Sequence, residues 1–171
     1  MDQKTEAVRR ELLNYVEPGH ICPDCPMKDY TTMKVGGPAS LLVTPGSVAE
    51  LFGALEVIRE QGARHLIMGN GSNLIFDDAG FDGIVVRIGS GLDRMRIEGN
   101  MIFAEAGAQL SAVARAAAEA GLSGMEFACG IPGSMGGAVY MNGGAYGGEM
   151  AQIVHSASAV SLSGIVKDRP G

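Results

Sequence analysis

Two stretches of this sequence concentrate residues suited to gripping a bulky anion. Gly69-Asn70-Gly71-Ser72-Asn73 sets two glycines, a hydroxyl and two side-chain amides in five consecutive positions. Further on, the nineteen residues 130–148 contain eight glycines. Glycine loses more backbone freedom on folding than any other residue, so this crowding calls for a physical reason. With no Cβ in the way, successive N–H groups can converge on phosphate oxygens. Ser72 and Asn73 bring side-chain donors to the first loop. In the second, Pro132-Gly133-Ser134 puts a proline and a hydroxyl at the expected start of a helix over 134–141, an end that also favours anions. The chemistry predicted is the holding of one phosphorylated cofactor across two loops.

Other residue types with chemical potential are sparse. Cys22-Pro23-Asp24-Cys25 is spaced as half a zinc site with His20, or as a redox pair. No second Cys or His pair lies at a suitable distance along the chain, so two reduced thiols in a Pro-rich connector is the simpler reading. Cys129 sits beside a glycine turn, where a small side chain packs easily. Tyr140 reads as a core aromatic, while Tyr146 in its glycine-rich setting stays open. Glu126 fits an N-terminal cap or a salt bridge, Asn73 a cap on its own turn, and Gly36-Gly37-Pro38 a tight turn.

The elements that must position the loops follow from periodicity. Residues 3–16 are predicted helical, with Val8, Leu12, Leu13 and Val16 on one side. A connector with Pro18, Pro23 and Pro26 follows. A strand over 39–44 precedes Ser47-Val48-Ala49-Glu50, a capping box that opens a helix ended by Gly62. A strand at 65–68 runs into the first loop, with further strands at 74–76 and 83–88. Gly99-Asn100 joins a hairpin of 94–98 and 101–105. A second helix, 110–120, has an alanine face suited to packing on a sheet. A last hairpin spans 153–162 and 165–167. This order is α+β rather than strictly alternating. The first loop lacks the G-x-G-x-x-G spacing and leads to no helix, which disfavours a doubly wound dinucleotide fold.

Composition narrows the function classes. The 26 glycines in 171 residues are about 15% of the chain, roughly twice the usual share. A net charge of −6 argues against nucleic acid as a partner. No apolar run approaches the roughly 18 residues of a membrane span. The charged start Met1-Asp2-Gln3-Lys4-Thr5-Glu6 has no signal-peptide core behind it, so a cytoplasmic protein is expected.

Three blocks carry a specific resemblance. Tyr30-Thr31-Thr32-Met33-Lys34-Val35-Gly36-Gly37-Pro38-Ala39, the loop Met68-Gly69-Asn70-Gly71-Ser72-Asn73-Leu74-Ile75, and the stretch from Gly121 through Gly148 resemble, in order, the signature segments of the UDP-N-acetylenolpyruvoylglucosamine reductases. Departures fall at Met33, Lys34, Ser40 and Asn70, where Phe, Arg, Asp and Gly are commoner. The resemblance implies a PCMH-type flavoprotein fold, an FAD-binding domain of two α+β subdomains. The expected division is a helix and connector over 1–29, a first subdomain over 30–90 and a second over 91–171. Carried over residue by residue, FAD contacts fall on Gly69, Asn70, Gly71, Ser72, Asn73, Gly133, Ser134, Gly137 and Ala138, with Val35, Gly36 and Asn142 as further candidates. Gly136-Gly137 would let the flavin ring or ribityl chain lie against bare backbone.

The implied activity is NADPH-dependent reduction of UDP-N-acetylglucosamine enolpyruvate in peptidoglycan precursor synthesis. The family's catalytic arginine, serine and glutamate fall beyond Gly171, so no residue here receives those roles and the chain alone is expected to be incomplete for turnover. No metal site is expected. The alternatives are another FAD-dependent oxidoreductase of the same fold and a non-catalytic nucleotide-binding module.

Overall fold

The computed structural model describes residues 3–171. Helix α1 (Gln3–Leu12) leads into β1 (Ile21–Pro26) and β2 (Pro38–Val43), then α2 (Val48–Glu60), β3 (His65–Met68) and β4 (Phe81–Arg87). The four strands form one sheet in the order β1-β2-β4-β3, with β1 antiparallel to β2 and the other three parallel. Alternation along the strands decides which face each side chain covers. Leu41, Val43, Ile84 and Val86 pack under α1 and α2 with Val8, Leu12, Ala54, Val57 and Ile58. Leu42 and Val85 face the other way, into a cluster with Cys25, Met27, Met68 and Phe76. Ala39 joins this second cluster despite its parity with Leu41, because the β2–β4 register shifts between the two.

Local chemistry departs from expectation at four points. The helix predicted over 3–16 ends at Leu12, and Val16 stays buried through a turn closed by its N–H to the Leu12 carbonyl at 2.8 Å. The expected connector contains β1, whose prolines are tolerated because it is an edge strand. No strand forms at 74–76; Leu74 and Phe76 instead pack as loop residues beneath the sheet. At α2, Ser47 Oγ accepts from Glu50 N–H at 3.2 Å as predicted. The reciprocal half of the box is diverted, since the Glu50 carboxylate accepts from Gly46 N–H at 3.0 Å and pairs with His20 Nδ1 at 2.8 Å.

The rest of the chain is built from shorter pieces. A hairpin of β5 (Met95–Glu98) and β6 (Met101–Ala104) precedes α3 (Leu110–Glu119). A short helix, α4 (Met135–Tyr140), then leads to the two-residue strands β7 (Gly144–Ala145) and β8 (Gly148–Glu149) and the hairpin of β9 (Ser156–Val160) and β10 (Val166–Pro170). A third cluster of Leu110, Ala114, Phe127, Ala128, Ala138 and Met150 holds α3 and α4 together. The small residues of α3 therefore meet the helical turn Glu126–Gly130 rather than a sheet.

Candidate cofactor site

The first glycine loop leaves the C-terminal end of β3, where parallel strands commonly open a ligand crevice. Gly71 is buried at φ 65°, and a Cβ there would strike the Tyr30 carbonyl. Its own carbonyl accepts from Thr32 N–H at 3.1 Å. The loop is thus laid on residues 30–32. It is Gly71, not Asn70, that takes the left-handed backbone, so the Asn in place of the commoner Gly does not need that conformation.

The second loop comes directly against the first. A Cβ on Gly69 would collide with the Ser134 hydroxyl, and one on Gly133 would lie 3.3 Å from Ser72 Oγ. Each loop therefore presents a glycine to the other loop's serine. Ser134, 2% exposed, caps α4 by accepting from Gly137 N–H at 3.4 Å. Met135 and Gly136 donate to the Ala108 and Ala106 carbonyls at 2.8 Å each, which pins the start of α4 to the β6–α3 link. Gly107 in turn packs against the Gly89 carbonyl just after β4.

Backbone accounting shows what this junction lacks. Among the described residues, none of the N–H groups of 69–73, nor those of Gly133 and Ser134, donates to an acceptor in the chain. Gly71 and Ser134 are buried and Gly69, Asn70, Ser72 and Gly133 half-buried; amides so placed are almost always paired, so these six donors at the meeting of two loops call for an external acceptor. With six residues, α4 is too short for a strong macrodipole, so the amides rather than the helix end favour an anion.

The remaining expected residues divide by what already holds them. Val35 is 45% exposed beside Gly36, which packs tightly on Phe76 and so has a packing reason of its own. The Ala138 side chain belongs to the third core cluster, and its N–H and carbonyl are taken up by the Ser134 carbonyl at 2.9 Å and Gly143 N–H at 2.8 Å. Asn142 Oδ1 accepts from Ala151 N–H at 2.8 Å and is committed to tying that segment down. The Asn73 side chain is exposed and caps nothing among the described residues. Glu126 accepts from Gly124 N–H at 2.8 Å, a local cap. Tyr140 is not core: it is 88% exposed, because α4 turns only Ala138 fully inward. Met141, next along the chain, and Tyr146 are exposed as well.

Cys22 and Cys25 lie side by side, but His20 is engaged by Glu50 and groups with Glu17 and Glu50 rather than with the thiols. Cys25 is 1% exposed, and burial next to the Cys22 sulfur pushes its thiol up to about 12. Arg87, the last residue of β4, has its guanidinium carbon 5.5 Å from the Tyr30 ring centroid and is marked only faintly in the sequence. Its signal was a lone basic residue closing the apolar run Ile84-Val85-Val86.

Comparison with known proteins follows the same lines. A family model described as FAD binding domain matches residues 39–168. The chain belongs to this family of FAD binding domains. It is 44% identical over 148 residues to a UDP-N-acetylenolpyruvoylglucosamine reductase from Clostridium perfringens, covering 86% of this chain and 48% of the relative. The crystal structure of the corresponding reductase from Thermus caldophilus superposes with a TM-score of 0.71 at 35% identity, covering 88% of this chain and 51% of that one. A 4-ethylphenol oxidase from Gulosibacter chungangensis reaches 0.73 at 14% identity over 98% of this chain and 35% of its own, a likeness of fold alone. The chain spans about half the length of the curated relatives it matches. FAD is the cofactor of this domain, and the orphaned amides of the paired loops suit its diphosphate, the one doubly anionic part of the molecule.

Proposed function

We propose that this FAD binding domain is the flavin-holding half of an NADPH-dependent reductase that converts UDP-N-acetylglucosamine enolpyruvate to UDP-N-acetylmuramate in cytoplasmic peptidoglycan precursor synthesis. The observation that carries the reading is the mutual seating of the two loops, Gly69 on Ser134 and Gly133 on Ser72, around unpaired amides. Likeness to the Clostridium perfringens reductase supports the substrate. Gly69, Asn70, Gly71, Ser72, Asn73, Gly133 and Ser134 bind the diphosphate through backbone and hydroxyl donors, and Gly137 with Ala138 offers backbone surface to the rest of the cofactor. Gly36 holds the Val35 turn against Phe76, and Asn142 positions the segment after α4 rather than touching the ligand with its amide. When bound, FAD supplies two-electron transfer from a nicotinamide to an electron-poor double bond. Among the described residues, no helix is long and apolar enough to cross a membrane.

Adding FAD to the purified chain is expected to quench flavin fluorescence and shift its absorbance bands. A chain that leaves both unchanged at high micromolar FAD would defeat the reading. The chain alone is expected not to couple NADPH oxidation to the enolpyruvyl sugar nucleotide; steady turnover would show that the residues present suffice.

A further inference from the structure

Arg87 closes β4 and is register-paired with Met68, the residue immediately before Gly69. Ile88 N–H donates to the Met68 carbonyl at 2.8 Å, which locks the two chain positions side by side. Strand alternation puts Arg87 on the face of Val85, toward Met68 and Tyr30. Its guanidinium stacks over the Tyr30 ring, and a terminal nitrogen lies 3.6 Å from where a Cβ on Gly89 would stand. Its Nε is buried with no hydrogen-bond partner. Among the described residues Arg87 enters no ion pair, in a chain with 19 acidic and 13 basic residues. A half-buried guanidinium without a counter-charge is costly, and the Tyr30 face offsets only part of that cost.

The nearest unmet chemistry is complementary. Tyr30, which carries the guanidinium on its ring, presses its carbonyl on Gly71 in the loop of orphaned amides. A planar fork of donors matches two phosphate oxygens at once, which a lone amide cannot do. We propose that Arg87 is the fixed positive charge of the cofactor site, binding the FAD diphosphate from beneath the loop 69–73. The inference rests on the flavin reading above and adds to it a side chain that discriminates the dinucleotide from its uncharged flavin portion.

The test measures FAD affinity by fluorescence quenching across a series of salt concentrations, for the whole chain and for Arg87→Met, Arg87→Lys and Arg87→Gln. Thermal unfolding with inorganic pyrophosphate runs in parallel. Arg87→Met is expected to weaken FAD binding by about tenfold to a hundredfold and to flatten its salt dependence. Arg87→Lys keeps most of the salt dependence. Pyrophosphate raises the unfolding temperature of the parent chain and not of Arg87→Met. Should Arg87→Met not fold, Arg87→Gln is read in its place. Unchanged affinity in a folded neutral variant overturns the proposal and leaves the flavin reading intact. Weaker binding with the salt dependence and pyrophosphate response preserved also overturns it, by making Arg87 a prop for Tyr30. Pyrophosphate protection that requires Arg87, in a chain that ignores FAD, supports the anion role and defeats the flavin reading. Protection by neither ligand defeats both.

Discussion

A methyl group at Gly69 would occupy the space of the Ser134 hydroxyl, which gives the loop junction a direct test. Gly69→Ala is expected to destabilise the chain by about 1–3 kcal/mol through overpacking. Ser134→Ala alone loses the α4 cap, at about 1 kcal/mol. Together they cost less than their sum, because removing the hydroxyl makes room for the new methyl. Urea denaturation of the four chains measures the coupling, and strict additivity would mean the two loops do not touch in solution. The thiols offer a second test. Exposed Cys129 is expected to react with a thiol reagent at once at pH 8, and Cys25, buried and with its thiol pushed up to about 12, only on unfolding. Both loops were legible in the sequence because glycine has so few other reasons to cluster. The partnership of Gly69 with Ser134 was not, since nothing along the chain marks which serine meets which glycine. Tyr140 misled because an aromatic in a short helix reads as core when the width of the buried face is unknown.

The entry to α2 is held by a clasp in which residues 46 and 20 both bind one carboxylate. Burial alone would raise the pKa of Glu50, but the Gly46 amide and the His20 imidazole outweigh it and hold the carboxyl below the usual range. A carboxylate with a lower pKa folded than unfolded adds stability above its unfolded value, and that stability is lost as pH falls through the folded one. Glu50→Gln is therefore expected to cost about 1–2 kcal/mol at pH 7. The difference from the parent shrinks below about pH 4, as unfolding temperature against pH will show. Leu12→Ala, which opens a hole between α1, α2 and the sheet, is expected to cost about 2–5 kcal/mol. Strands β2 and β4 and helix α2 were readable from their apolar runs and the Ser47 cap, whereas their parallel pairing was not. Edge strand β1 was hidden by prolines that only an edge admits. The apolar run 74–76 imitated a strand because period alone cannot separate a strand from a loop pinned under a sheet.

At the scale of the whole molecule, the paired loops bring the cluster beneath the four-stranded sheet against the one that joins α3 and α4, while Leu162 of the last hairpin packs on the cluster of α1 and α2. A ligand held across both loops binds only the folded chain. FAD at a hundred times its dissociation constant is thus expected to add about 2.7 kcal/mol, raising the unfolding midpoint by about 5–10 °C. Scanning calorimetry with and without FAD checks this. The same loop contact is expected to set the residence time of whatever sits in it. Because each serine lodges against the opposite glycine, departure is expected to wait for the two loops to breathe apart rather than for one contact to snap. The escape rate will then follow the temperature dependence of amide exchange at Leu110, whose N–H is anchored on the Gly133 carbonyl at 3.0 Å.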